Sequence, residues 1–125
     1  MRWTLAVVAA LIIATALFFM RDQRDEKIAD LRGQSEVSVV LTDGGFEPSE
    51  FYIRRGTQVT FTTTRANQFW PASNTHPDHD IYPEFDSKRP LKTDESWSFV
   101  FEKVGAWGFH DHVRSYFTGK VYVEE

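Results

Sequence analysis

The chain contains no cysteine. That excludes disulfides, thiol redox chemistry, iron–sulfur clusters and every thiolate-ligated metal centre. It says little about compartment, because a well-packed domain outside the cytosol can do without disulfides. Basic residues are the minority: 14 Lys and Arg against 18 Asp and Glu give a formal net charge of −4. With no basic stripe, nucleic-acid binding has no electrostatic support, and no nucleic-acid partner is expected. No glycine-rich phosphate loop is present. Serines such as Ser73 and Ser115 stand in no recognisable nucleophile context. There is no internal repeat, no low-complexity tract and no convincing helical pattern after residue 35.

Long apolar runs are also scarce; there is one. From Trp3 to Met20 no residue is charged, and Arg2 and Arg21 bracket the run. As a helix it would rise about 27 Å, close to the hydrocarbon thickness of a bilayer. The alternative is a cleaved signal peptide cut after Ala14-Thr15-Ala16. Such a cut leaves Leu17-Phe18-Phe19-Met20 at the new terminus, and the run exceeds a usual signal core. Residues 1–20 are therefore read as one N-terminal transmembrane helix, a membrane anchor. Residues 21–35 are mostly charged, with Ile28 and Leu31 three apart. They read as a charged stalk, helical or disordered, ending near Gly33. Arg21, Arg24, Lys27 and Arg32 follow the anchor, and counting Lys and Arg alone places the following domain in the cytoplasm.

From Glu36 to Glu125 the texture changes. Val37, Val39 and Leu41 alternate with polar residues. So do Phe51 and Ile53, Val59 and Phe61, Trp97 and Phe99, and Val121 and Val123. Period-two alternation in short runs, punctuated by Gly and Pro, indicates half-buried antiparallel strands. About seven such strands suggest a sandwich. The stretch 67–90 breaks the pattern. It holds Pro71, Pro77, Pro83 and Pro90, four of the 5 prolines. A long excursion between strands is unusual and often functional. Trp70, Trp97, Trp107, Phe85 and Phe109 read as core or loop packing. Asp78, Asp80, Glu84 and Asp86 read as a solvated acidic cluster.

Several stretches carry a resemblance in their order. Gly45-Phe46-Glu47-Pro48 precedes Phe51 and Ile53, then Gly56-Thr57-Gln58-Val59-Thr60-Phe61. Later come Leu91 to Phe99, Val104-Gly105-Ala106-Trp107-Gly108-Phe109-His110 and Gly119-Lys120-Val121-Tyr122-Val123. From Glu36 onward the chain resembles the cupredoxins, the plastocyanin- and azurin-like copper proteins. The resemblance implies an all-β, Greek-key β-sandwich over residues 36–125 and a place outside the cytoplasm, facing the periplasm or cell exterior. That placement conflicts with the Lys and Arg count. In the family's terminal ligand loop, Asp111 takes the cysteine position, Arg114 the histidine position and Phe117 the methionine position. A type 1 blue-copper centre needs the soft thiolate, so the electron-transfer role that the family implies loses its centre.

All 4 histidines fall where the resemblance places a metal. His110 and His112 flank Asp111, and side chains at i and i+2 share one strand face. Their phrase also resembles the His-x-His arms of multicopper oxidases. His79 stands where the family's first histidine ligand is expected, and His76 is three residues upstream. The reading is a divalent metal site made of His76, His79, His110 and His112, with Asp111 or Asp78 nearby. All-nitrogen ligation suits Cu(II) or Zn(II), and the resemblance favours copper, with zinc possible. Imidazole must be neutral to bind, so affinity should fall below about pH 6.

Two functions follow. One is a membrane-anchored copper-binding domain that holds or delivers copper, or supports a larger redox complex with a membrane or redox partner. The other is a metal-free interaction module, with the His-Asp-His phrase bracing a loop and the Pro-rich excursion docking a partner. A copper site with an open position could activate oxygen or superoxide, but no substrate pocket is legible, and the reading leans away from an enzyme.

Overall fold

The computed structural model describes residues 28–125. The expected anchor, residues 1–20, and the first part of the stalk lie outside the described residues. Among the described residues no helix is long and apolar enough to cross a membrane.

The alternating runs form strands as expected. In chain order they are β1 (Ala29–Asp30), β2 (Glu36–Thr42), β3 (Gly45–Glu47), β4 (Glu50–Arg54), β5 (Gln58–Thr63), β6 (Pro71–Ser73), β7 (Trp97–Val100), β8 (Gly105–Asp111) and β9 (Thr118–Glu124). They build two sheets, one ordered β1-β4-β9-β8-β6 and the other β3-β2-β5-β7. Val37, Val39, Leu41, Val59 and Phe61 of the second sheet face Phe51, Ile53, Phe109, Val121 and Val123 of the first, all buried. Burying such side chains stabilises the fold by about 1.5–3 kcal/mol each. Phe85, from the excursion, inserts between Phe61, Phe101 and Phe109. Gly119 gives Phe109 room: a methyl group there would collide with the Phe109 ring.

Two expectations are corrected. The sheets are mixed rather than antiparallel throughout: β2 runs parallel to β5, and β4 parallel to β1 and β9. Alternation reports which face is buried and is blind to strand direction, so it could not distinguish these cases. The second concerns the stalk. Its described end is extended, not helical: Ala29 and Asp30 pair with Phe51 and Tyr52, and the Leu31 amide donates to the Tyr52 carbonyl. Ala29 and Leu31 pack on the core, so tertiary burial overrides the i, i+3 spacing.

Candidate metal centre

Strand β8 decides where the site lies. Phe109 is in the core, so residues of the same parity, Trp107 and Asp111, face inward. His110 and His112 therefore face outward from the five-stranded sheet. Strand β6 pairs antiparallel with β8, with Ala72 opposite His110 and Pro71 opposite Asp111. The ladder continues at both ends: the His112 amide donates to the Trp70 carbonyl at 2.8 Å and the Asn74 amide to the Gly108 carbonyl at 3.0 Å. Three rungs thus floor the outer face: Trp70 beside His112, Ala72 beside His110, Asn74 beside Gly108. Small residues at Ala72 and Gly108 leave the space that the imidazoles and Asn74 occupy.

The excursion then folds back over this floor. The His79 amide donates to the Thr75 carbonyl at 2.6 Å and the Ile81 amide to the Asn74 carbonyl at 3.0 Å. Asp80 Oδ1 accepts from the Thr75 hydroxyl at 2.8 Å. Tyr82 and Phe85 are buried in the sandwich and pin the far end. His79 has φ of 54°, a left-handed conformation that histidine tolerates better than most residues. This turn carries His76 and His79 onto the outer face above His110 and His112.

One ring nitrogen from each histidine lies within 4.8 Å of the other three. His76 Nδ1 is 3.2 Å from His110 Nε2, and His79 Nε2 is 2.8 Å from His112 Nδ1. Two rings are braced from behind. Asp86 Oδ2 lies 2.8 Å from His79 Nδ1, and Asn74 Oδ1 lies 3.1 Å from His110 Nδ1. Both oxygens accept, so both Nδ1 atoms carry the proton and both Nε2 lone pairs turn inward. This carboxylate- or carbonyl-to-imidazole arrangement is what orients metal-binding histidines. Asp86 is itself fixed. Its Oδ1 accepts from Trp70 Nε1 at 2.6 Å and from the Lys88 amide at 2.7 Å. The Trp70 ring covers His112, with centroids 4.5 Å apart.

Burial pushes His110 down to about 4, and the neighbouring imidazoles of His79, His76 and His112 add to that. Burial lowers His112 too, again with help from His79 and His76. These two rings are therefore neutral near pH 7, the form that presents a lone pair. Burial alone would raise Asp86, but hydrogen bonds from Trp70, His79 and the Lys88 amide outweigh it and hold the carboxylate at about 2.

The structure brings together all four histidines singled out from sequence. It does not bring in the two acids named beside them. Asp78 is exposed, and Asp111 points to the opposite side of β8. Asp111, which the resemblance sets at the family's cysteine position, faces inward while the imidazoles face outward. Asp111 Oδ1 accepts from the amides of Trp70 and Val113 at 2.8 and 3.1 Å. Its Oδ2 is buried with no hydrogen-bond partner among the described residues. Burial raises its pKa, against the pull of those two amides. Asp86 is the residue sequence reasoning missed. It is buried and central to the bracing, not part of a solvated cluster. Its only signal was its place next to Phe85, which reads as core or loop packing. Asn74 gave no signal.

The donor set fits a first-row metal ion. Imidazole binds zinc at about 2.0–2.1 Å, which puts neighbouring donors of a four-nitrogen shell about 3–3.5 Å apart. The two close pairs lie near that range, and all four donors lie within 4.8 Å of one another.

No family model matches the chain, and neither does the sequence of any curated protein. Its shape does match solved structures. A purple cupredoxin from Nitrosopumilus maritimus is 23% identical over 70% of this chain and 99% of its own, with a TM-score of 0.62. A reduced amicyanin mutant is 21% identical over 71% and 82%, with a TM-score of 0.61. A copper-containing nitrite reductase from Thermus scotoductus is 19% identical over 72% of this chain but only 22% of its own, with a TM-score of 0.60. At these identities the likeness speaks for the fold: this is a cupredoxin sandwich without the type 1 cysteine, and it carries a four-histidine cluster spaced to hold a metal ion.

Proposed function

We propose that the domain binds one copper(II) ion through His76, His79, His110 and His112, with zinc(II) as the weaker candidate, while residues 1–20 tether it to a membrane. The observation that carries this reading is the set of four converging ring nitrogens, two of them braced by Asp86 and Asn74. A second support is that the similar folds include copper proteins, a Cu(I) form of an amicyanin mutant and the copper-containing nitrite reductase among them. Asp86 and Asn74 keep the Nδ1 protons of His79 and His110 turned outward, and Trp70 keeps water from the His112 side. Bound through nitrogen alone, copper would form a pale, non-blue centre fit for holding or passing copper, or for supporting a redox complex. The domain would then face the periplasm or cell exterior and meet a membrane or redox protein there.

Titration of the purified protein with Cu(II) and Zn(II) tests the metal. The expected result is one equivalent bound, with affinity lost in a His110→Ala, His112→Ala double variant. Equal affinity in that variant, or an intense blue band, would sink the proposal. A second reading has its own support. His76 Nδ1–H can donate to His110 Nε2, and His112 Nδ1–H to His79 Nε2, so the neutral cluster satisfies itself without an ion. Binding no tighter than in a histidine-free variant would favour that reading, a metal-free interaction module. A topology reporter fused after Glu125 tests the orientation, and a cytoplasmic signal would overturn it.

A further inference from the structure

We infer that His76 is an exchangeable ligand, whose place an external imidazole-type donor can take, so that the site opens at this one corner for metal entry and hand-over. The inference rests on the copper-binding reading above and concerns how the four ligands differ.

Three of the rings are held. His79 is 6% exposed and His110 2% exposed, and each donates its rear proton to a fixed acceptor, Asp86 or Asn74. Swinging His79 away would strand an oxygen of the buried Asp86, at a cost of about 1–3 kcal/mol, and swinging His110 away would break its bond to the half-buried Asn74. The His112 ring is held by the Trp70 ring that covers it and by its contact with His79 Nε2 at 2.8 Å. His76 has neither a rear acceptor nor a covering indole ring among the described residues. It is exposed, the only one of the four to be so. Among the described residues its Nε2 has no hydrogen-bond partner, and its one polar contact, Nδ1 to His110 Nε2, lies on the side facing the other rings. The turn that carries it does not depend on it: Thr75, His79 and Asp80 close that turn through their own bonds. Rotating the His76 ring outward therefore breaks no backbone bond and, with His110 Nε2 on the metal, uncovers no orphaned acceptor. An exposed side chain makes such a rotation in picoseconds to nanoseconds when unbound.

Exchange is a substitution without redox change. His76 withdraws its Nδ1 lone pair and leaves as a neutral imidazole. The incoming donor supplies a lone pair in its place, and no electron or proton is transferred. The other three rings keep their positions.

The test compares His76→Ala with His79→Ala in the full-length protein, reading Cu(II) affinity, the rate of release to excess chelator, and the number of coordinating nitrogens by electron paramagnetic resonance. Thermal melts check that both fold, and His79→Gln serves if His79→Ala does not. His76→Ala should lose about tenfold or less in affinity and release copper about tenfold or more faster. Millimolar imidazole should restore both values and the nitrogen count. The His79 variant should lose about 100-fold or more, with no rescue. Release from His76→Ala at the unmodified rate, loss of affinity as deep as in the His79 variant, or equal rescue of both would overturn the inference. Absence of tight copper binding in the unmodified protein would instead overturn the copper reading itself, and this inference with it.

Discussion

Replacing Asp86 by Asn separates bracing from mere packing. The change keeps shape and volume but leaves one acceptor oxygen where the carboxylate has two. In the folded protein one oxygen serves Trp70 Nε1 and the Lys88 amide, and the other serves His79 Nδ1. Two donors outweigh one, so the Asn oxygen should stay with Trp70 and Lys88 and turn its NH2 toward His79. His79 then has to accept at Nδ1 and carry its proton on Nε2, the nitrogen that faces the other rings. Two consequences follow. The domain loses a charge-assisted hydrogen bond, worth about 1.5–3 kcal/mol of stability. Copper must displace the wrong tautomer, so affinity should drop about 10- to 100-fold, or about 1.4–2.8 kcal/mol. Urea unfolding of the metal-free protein reads the first, competition with a chelator reads the second, and nitrogen chemical shifts of His79 read the tautomer directly. A variant with unchanged copper affinity and unchanged tautomer would refute the reasoning, whatever its stability.

Three further outcomes are expected. Gly108→Ala puts a methyl group 2.5 Å from Asn74 Nδ2; displacing that amide unbraces His110, so copper affinity should fall about tenfold or more while stability falls by about 1–3 kcal/mol, and unchanged affinity would count against the bracing role. Copper(II) should quench tryptophan emission, and Trp70→Phe should remove most of the quenching, because Trp97 and Trp107 pack against the core instead; quenching that persists would place the ion elsewhere. Folding stability should fall on mild acidification through His110. Its folded pKa of about 4 lies below the ordinary value of 6.5, so its contribution is complete above about pH 6.5 and drains away as pH falls toward 4. Asp86, held at about 2, stays ionised across that window. Asp111, raised by burial, changes in the opposite sense, so the measurement is a difference. His110→Asn should show a smaller drop in urea midpoint between about pH 7 and pH 5 than the unmodified protein, and an equal drop would refute the assignment.

The sandwich was legible because its long strands alternate cleanly: Val37-Val39-Leu41 and Phe51-Ile53 declare both strand and inward face. Strands β1, β3 and β6 were not, being two or three residues long; β6 even opens with Pro71. The histidine pair was legible from its i, i+2 spacing, but the face it occupies was not drawn out. The signal existed, since Phe109 is apolar and flanks His110, and alternation then sends Asp111 inward with it. Asp86 and Asn74 stayed hidden because bracing depends on the return path of the excursion, which leaves no periodic trace. The acid cluster around Asp86 looked solvated because three of its four members, Asp78, Asp80 and Glu84, are exposed.

One residue along a strand is the difference between two faces of a sheet, and this sets up the sharpest test of where the site lies. The family resemblance puts a cysteine at Asp111. If the histidine cluster occupied that same corner, Asp111→Cys would add a thiolate to a ready set of imidazoles, and copper loading would produce an intense blue or purple centre. The structure argues otherwise. The Asp111 side chain is fully buried on the inner side of β8 and takes the amide protons of Trp70 and Val113. Its inner surroundings hold the Arg65 guanidinium lying over the Phe117 ring, and none of the clustered ring nitrogens belongs to that face. A thiol introduced there would be separated from the imidazoles by the strand itself. Asp111→Cys, loaded with copper, should therefore stay pale and keep an all-nitrogen spectrum, with the thiol still free to react once the protein is unfolded. A strong thiolate-to-copper band would mean that inward and outward faces of β8 had been wrongly distinguished. The four imidazoles would then share the corner that the resemblance assigns to the cysteine.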